Sequence, residues 1–87
     1  FAEAISCWER VIELSPGEQP TAYLGLGMAL QEEGRLAEAM ERYEAAIQLQ
    51  PDFAEAYLHI GGVHELLGRM DDAEAAFRNA LRLQPDH

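Results

Sequence analysis

Eighty-seven residues leave room for one domain of about five helices, and a chain this short buries only a little over half of its unfolded surface. Apolar residues make up 48% and aromatics 8%, with Ala and Glu abundant, a balance that favours packed helices over sheet and excludes a disordered tail. Six Arg and no Lys stand against sixteen acids, for a formal charge of −10 with no basic cluster, which excludes nucleic acid and anionic membrane surfaces as partners. The acidity itself has two readings, a solvated surface that keeps the chain soluble or a preference for a basic partner.

In chain order, Phe1, Ile5, Trp8 and Ile12 recur at helical spacing and predict a first helix that runs to Leu14, just before Pro16. Cys7 beside Trp8 is expected to be a buried thiol; a lone cysteine cannot form an internal disulfide, and it leans toward a reducing, cytoplasmic compartment. From Thr21, the residues Tyr23, Leu26, Gly27 and Leu30 predict a second helix, which Gly34 ends because glycine takes positive φ without penalty. Leu36, Ala39, Met40, Tyr43, Ala46 and Ile47 predict a third, stopped by Pro51, which disfavours helical geometry at Gln50. Asp52 is expected to cap a fourth helix starting near Ala54, with Gly68 as its breaker. Asp71 and Asp72 open a fifth, where acids suit the macrodipole, and Pro85 stops it. No run is long enough to cross a bilayer, and no signal-peptide pattern is present.

The elements repeat. A shift of 34 residues superposes Gly27 on Gly61, Gly34 on Gly68, Ala39 on Ala73, Tyr43 on Phe77, Ala46 on Ala80, Leu49 on Leu83 and Pro51 on Pro85. A shift of 35 carries Ala4, Trp8, Val11, Leu14 and Pro16 onto Ala39, Tyr43, Ala46, Leu49 and Pro51. The domain is therefore read as residues 1–19, the second helix of a partial repeat plus a turn, then full repeats over 20–53 and 54–87. Glycine within a helix costs about 1 kcal/mol relative to alanine. Gly27 and Gly61 are expected to repay it through close helix contact, with Ala39 or Ala73 and the aromatic Tyr43 or Phe77 packed against them.

A helix-turn-helix period with Tyr23, Leu26-Gly27, Gly34, Ala39, Tyr43, Ala46 and Pro51 in order resembles the tetratricopeptide repeat, and Tyr57, Ile60-Gly61, Gly68, Ala73, Phe77, Ala80 and Pro85 repeat the match. Leu30 and His64 stand where that family often has an aromatic. The resemblance implies an all-α fold, a right-handed α-α superhelix of antiparallel helix-turn-helix repeats with one concave face. It also implies that the first helix of each hairpin lines the groove. Those positions are Thr21, Leu24, Gly25, Met28, Gln31 and Glu32 in one repeat, and Glu55, Leu58, His59, Gly62, Glu65 and Leu66 in the next. The implied function is a protein-interaction scaffold whose groove, mixed apolar and acidic, takes a peptide or helix of a partner protein.

Members of the family can hold the C-terminal carboxylate of a chaperone tail with Lys and Asn side chains. Here the corresponding positions carry Leu24, Gly25, Met28, Glu55 and His59, so an apolar or basic partner is expected rather than an acidic tail. Gly25 and Gly62 have no packing duty visible in the sequence. They are read either as drift or as a smooth floor for a large apolar side chain, with Glu32, Glu55 and Glu65 at the rim. His59 and His64 are five apart and point in different directions, whereas a metal pair on a helix needs a spacing of three or four. No metal, cofactor or enzymatic role is expected, although repeats of this family also occur beside catalytic domains.

The alternative is self-assembly through open solenoid ends. The half repeat lacks its own first helix, so Phe1, Ile5, Trp8 and Ile12 are expected to lose part of their cover at one end, and Leu81 is the candidate contact at the other. Either the parent chain continues on both sides, or the ends meet other copies.

Overall fold

A computed structural model describes residues 2–14 and 19–83. Over these residues the chain forms five α-helices and no strand: α1 (Ala2–Leu14), α2 (Pro20–Glu32), α3 (Leu36–Leu49), α4 (Ala54–Leu66) and α5 (Met70–Leu83). The expected roles of Phe1, Pro16 and Pro85 lie outside the described residues.

Each hairpin turn is made by glycine in the left-handed region. Gly34 has φ +80° and Gly68 φ +78°. At the end of α2 the Gly34 N–H donates to the Gln31 carbonyl (2.9 Å) and the Arg35 N–H to the Leu30 carbonyl (2.9 Å). Gly68 to Glu65 (3.0 Å) and Arg69 to His64 (2.8 Å) reproduce the pair at the end of α4. This pair of bonds satisfies carbonyls that the helix would otherwise leave open, and it reverses the chain within a few residues.

The link between hairpins is made differently. Gln50, before Pro51, is extended at φ −139°, ψ 90°, and Phe53 rather than Asp52 is the residue that flanks α4. Phe53 makes no side-chain capping bond, and Asp52 is exposed, so the expected Asp52 cap does not form. Proline dictates the extended residue, and the chain then enters α4 one residue beyond the acid, out of reach of the helix's free N–H groups.

Helix α2 packs closely on α3, and α4 on α5; α1 packs on α2, and α3 on α4. The core is built mostly of alanine, including Ala22, Ala39, Ala46, Ala56 and Ala73, around the fully buried Tyr43, Leu26 and Val63. Small residues let helix axes approach, and the few large ones fill what remains. A methyl group at Gly27 would lie 2.5 Å from the Tyr43 ring, and one at Gly61 2.5 Å from the Phe77 ring. The aromatic ring itself thus occupies the space that each glycine vacates, and the alanines sit beside it.

Two expectations for α1 fail. Ile5 keeps its cover and is buried, because α2 covers the stripe on which it lies, whereas Trp8 and Ile12 on the same side are half-buried, in keeping with partial cover. Cys7 is exposed, since it stands two residues from Ile5 and so about 200° around the helix.

Candidate interaction groove

The first helices of the two hairpins, α2 and α4, touch one another, whereas α3 and α5 do not. Inner helices closer together than outer ones curve the stack, and the concave side falls on α2 and α4.

The twelve candidate residues divide by environment. Thr21, Met28, Glu32, Glu55, Leu58, Glu65 and Leu66 are exposed. Met28 and Leu58 keep 42% and 44% of their surface in contact with solvent, substantial for large apolar side chains. Leu24 is different: only 6% exposed, it belongs to the core with Ile5 and is no part of an open floor. Gly25 is also corrected. A methyl group there would collide with the Trp8 indole, so its missing side chain makes room for Trp8 and leaves no smooth surface. Gly62, by contrast, borders open space, and a methyl group added there would meet nothing within 4 Å.

Gln31 and His59 tie the groove to the core. The Tyr43 hydroxyl donates to Gln31 Oε1 at 2.7 Å, and the His59 ring stacks on Tyr43 with centroids 5.4 Å apart and planes at 21°. Burial, reinforced by the Glu32 carboxylate, pushes the Tyr43 phenol up to about 12, so it remains a hydrogen-bond donor at neutral pH. Tyr43 therefore braces both inner helices from behind.

The junction between repeats follows one rule with two fillings. Trp8 takes the repeat position of Tyr43, and Gly25 that of His59. The first junction sets a large indole on a glycine; the second sets a smaller phenol on an imidazole ring. The repeat alignment carries this pairing, yet the sequence reading places Trp8 at an open end and Gly25 on the groove, because no contact between them is visible in one dimension.

Among the described residues, no group of three or more His, Cys, Asp or Glu is placed to hold a metal ion, and no helix is long and apolar enough to cross a membrane.

The family model for the tetratricopeptide repeat (TPR) matches residues 1–52 and 24–87, which together span the chain. The chain belongs to the TPR family. Among solved structures, this TPR chain is similar to MamA, with 33% identity and a TM-score of 0.88 over 93% of this chain and 47% of that one. It is similar to YrrB, described as a TPR protein with an unusual peptide-binding site, with 28% identity and a TM-score of 0.92 over 99% of this chain and 44% of that one. The TPR domain of Arabidopsis OM64 matches with 28% identity and a TM-score of 0.93 over 99% of this chain and 70% of that one. The chain spans about half the length of the MamA and YrrB structures. No curated protein matches it in sequence. Its fold is the right-handed TPR solenoid of antiparallel helix pairs, a protein-interaction scaffold and typically not a catalytic one.

Proposed function

We propose that the concave face of α2 and α4 binds a peptide or helix of a partner protein, and that this partner is apolar and basic. The observation that carries the reading is the exposure of Met28, Leu58 and Leu66 on adjacent inner helices, with Glu32, Glu55 and Glu65 exposed beside them. Apolar contact supplies affinity and the carboxylates orient a Lys- or Arg-bearing segment. The open space over Gly62 receives one large side chain of that segment. The similar YrrB, described as a TPR protein with an unusual peptide-binding site, supports peptide recognition by a chain of this fold. An acidic chaperone tail is disfavoured, since Met28, Glu55 and His59 offer no Lys, Arg or Asn to its carboxylate. The module itself is read as non-catalytic, with any chemistry left to other parts of a longer protein.

The test is a panel of blocked peptides that pair one large apolar residue with either basic or acidic neighbours, titrated while backbone amide resonances are followed. Basic peptides should perturb α2 and α4, and Met28→Glu with Leu58→Glu should weaken them by about tenfold. Perturbation that ignores both substitutions would refute the groove.

A second reading, association through the ends, draws on Leu81, which is 51% exposed on α5. It requires a mass that rises with concentration and falls back in Leu81→Glu.

A further inference from the structure

We infer that the chain carries a second docking site, outside the groove, for a large apolar side chain flanked by basic residues. The site is a hollow of 270 Å³ between α3 and the turn that joins α4 to α5. Leu36, Met40 and Leu67 supply its apolar lining, with Glu41 and Glu44 contributed by α3 and Arg69 by the turn. None of the groove candidates lines it. The α3 stripe that faces it lies roughly a third of a turn from the stripe of Ala39, Tyr43 and Ala46 that packs on α2.

The internal repeat supplies an independent reason to regard this hollow as a ligand surface. Glu33 at the end of α2 and Leu67 at the end of α4 occupy the same repeat position in the same backbone geometry, φ −79°, ψ −4° against φ −87°, ψ −2°. Both donate their N–H to the carbonyl four residues back, Glu33 to Ala29 and Leu67 to Val63. The turn is therefore satisfied by a carboxylate, and nothing in its geometry calls for leucine. Leu67 is nevertheless 42% exposed and is absent from the buried core. An apolar residue lining a hollow, where the fold accepts an acid, leaves apolar surface available to a contact partner.

Size and charge define that partner. At 270 Å³ the hollow lies just below the range of about 300–1,000 Å³ for cofactor and drug-sized pockets and has room for a large side chain of a protein segment. Glu41 and Glu44 are exposed, and the two ion pairs among the described residues, Arg35 with Glu38 and Arg78 with Glu74, use neither. Two carboxylates outside those pairs against one guanidinium in the lining, in a chain of charge −10, select a basic neighbour for the inserted side chain.

The probe is a blocked arginine–leucine–arginine peptide, with glutamate–leucine–glutamate as its counterpart, titrated into the 87-residue chain with methyl and amide resonances followed. The basic peptide should shift Leu36, Met40 and Leu67, and the acidic one should bind about tenfold more weakly. Leu67→Glu should abolish these shifts while far-ultraviolet circular dichroism is retained, because Glu33 already fills the matching position. The double variant Glu41→Lys and Glu44→Lys, exposed changes that leave the core intact, should reverse the preference between the peptides. Met28→Glu, in the groove, should leave the shifts in place. Equal response to both peptides, response confined to α2 and α4, no response, or unaltered binding by Leu67→Glu overturns the proposal. So does a mass that rises with concentration and collapses in Leu67→Glu, which would make the occupant a second copy of the chain.

Discussion

Neighbouring glycines in α4 have opposite roles. Gly61 lies under the Phe77 ring and Gly62 beside open space, so one added methyl group tests two different energies. Gly61→Ala should lower stability, because the overpacking cost of about 1–3 kcal/mol exceeds the helix-propensity gain of about 1 kcal/mol. Gly62→Ala should raise it by up to about 1 kcal/mol, which shifts the thermal midpoint of a chain this size upward by about 4–8 °C. Urea and thermal unfolding of the two variants should move in opposite directions. Tyr43 offers a test by pH. Its phenol ordinarily loses its proton near 10.0 but is held up to about 12 when folded, so the folded state binds the proton more tightly. The stabilisation is present below pH 10 and is lost as pH rises toward about 12. Tyr43→Phe should flatten this alkaline loss in a pH series of urea midpoints. It should also cost about 1 kcal/mol at neutral pH, because Gln31 Oε1 loses its donor.

The helices begin with less help than they end. Gln19, Arg35 and Phe53 flank α2, α3 and α4, and none caps its helix through a side chain. Arg35 instead pairs with Glu38, an exposed contact that raises the guanidinium's hold on its proton and lowers the carboxyl below its ordinary range, and that adds little to stability. Gln19 is exposed and precedes Pro20 at the first position of α2, so Gln19→Ser should supply the missing acceptor and stabilise the fold by about 0.5–1 kcal/mol, read from the urea midpoint. The helix ends are easier to anticipate than the starts. Gly34, Gly68 and Pro51 act through their own backbone restrictions, whereas capping by Asp52 depends on whether α4 starts one residue earlier or later.

Across the stack, net charge opposes compaction. The chain's ten excess negative charges repel one another over distances comparable to the screening length of about 8 Å at physiological salt. Raising salt from low to physiological strength should therefore raise the thermal midpoint, as calorimetry would show, and should weaken any basic peptide bound in the groove.

How much of this was legible in one dimension depends on the range of each interaction. The helix pairs, the glycine turns, the proline stop at Pro51 and the contact of Gly27 with Tyr43 could all be read from the chain, because each is set by a residue's own backbone limits or by a spacing that recurs. The identity of the repeat follows from the same spacing. Three-dimensional packing decided which side of each helix met a neighbour: Trp8 over Gly25 rather than at a free end, Leu24 and Ile5 inside, Cys7 outside, and Leu67 in the lining of a hollow. Helical periodicity defines an apolar stripe but not what covers it. Only the stacking of one hairpin on the next, with α2 against α4, divides that stripe between the core and the surfaces left for partners.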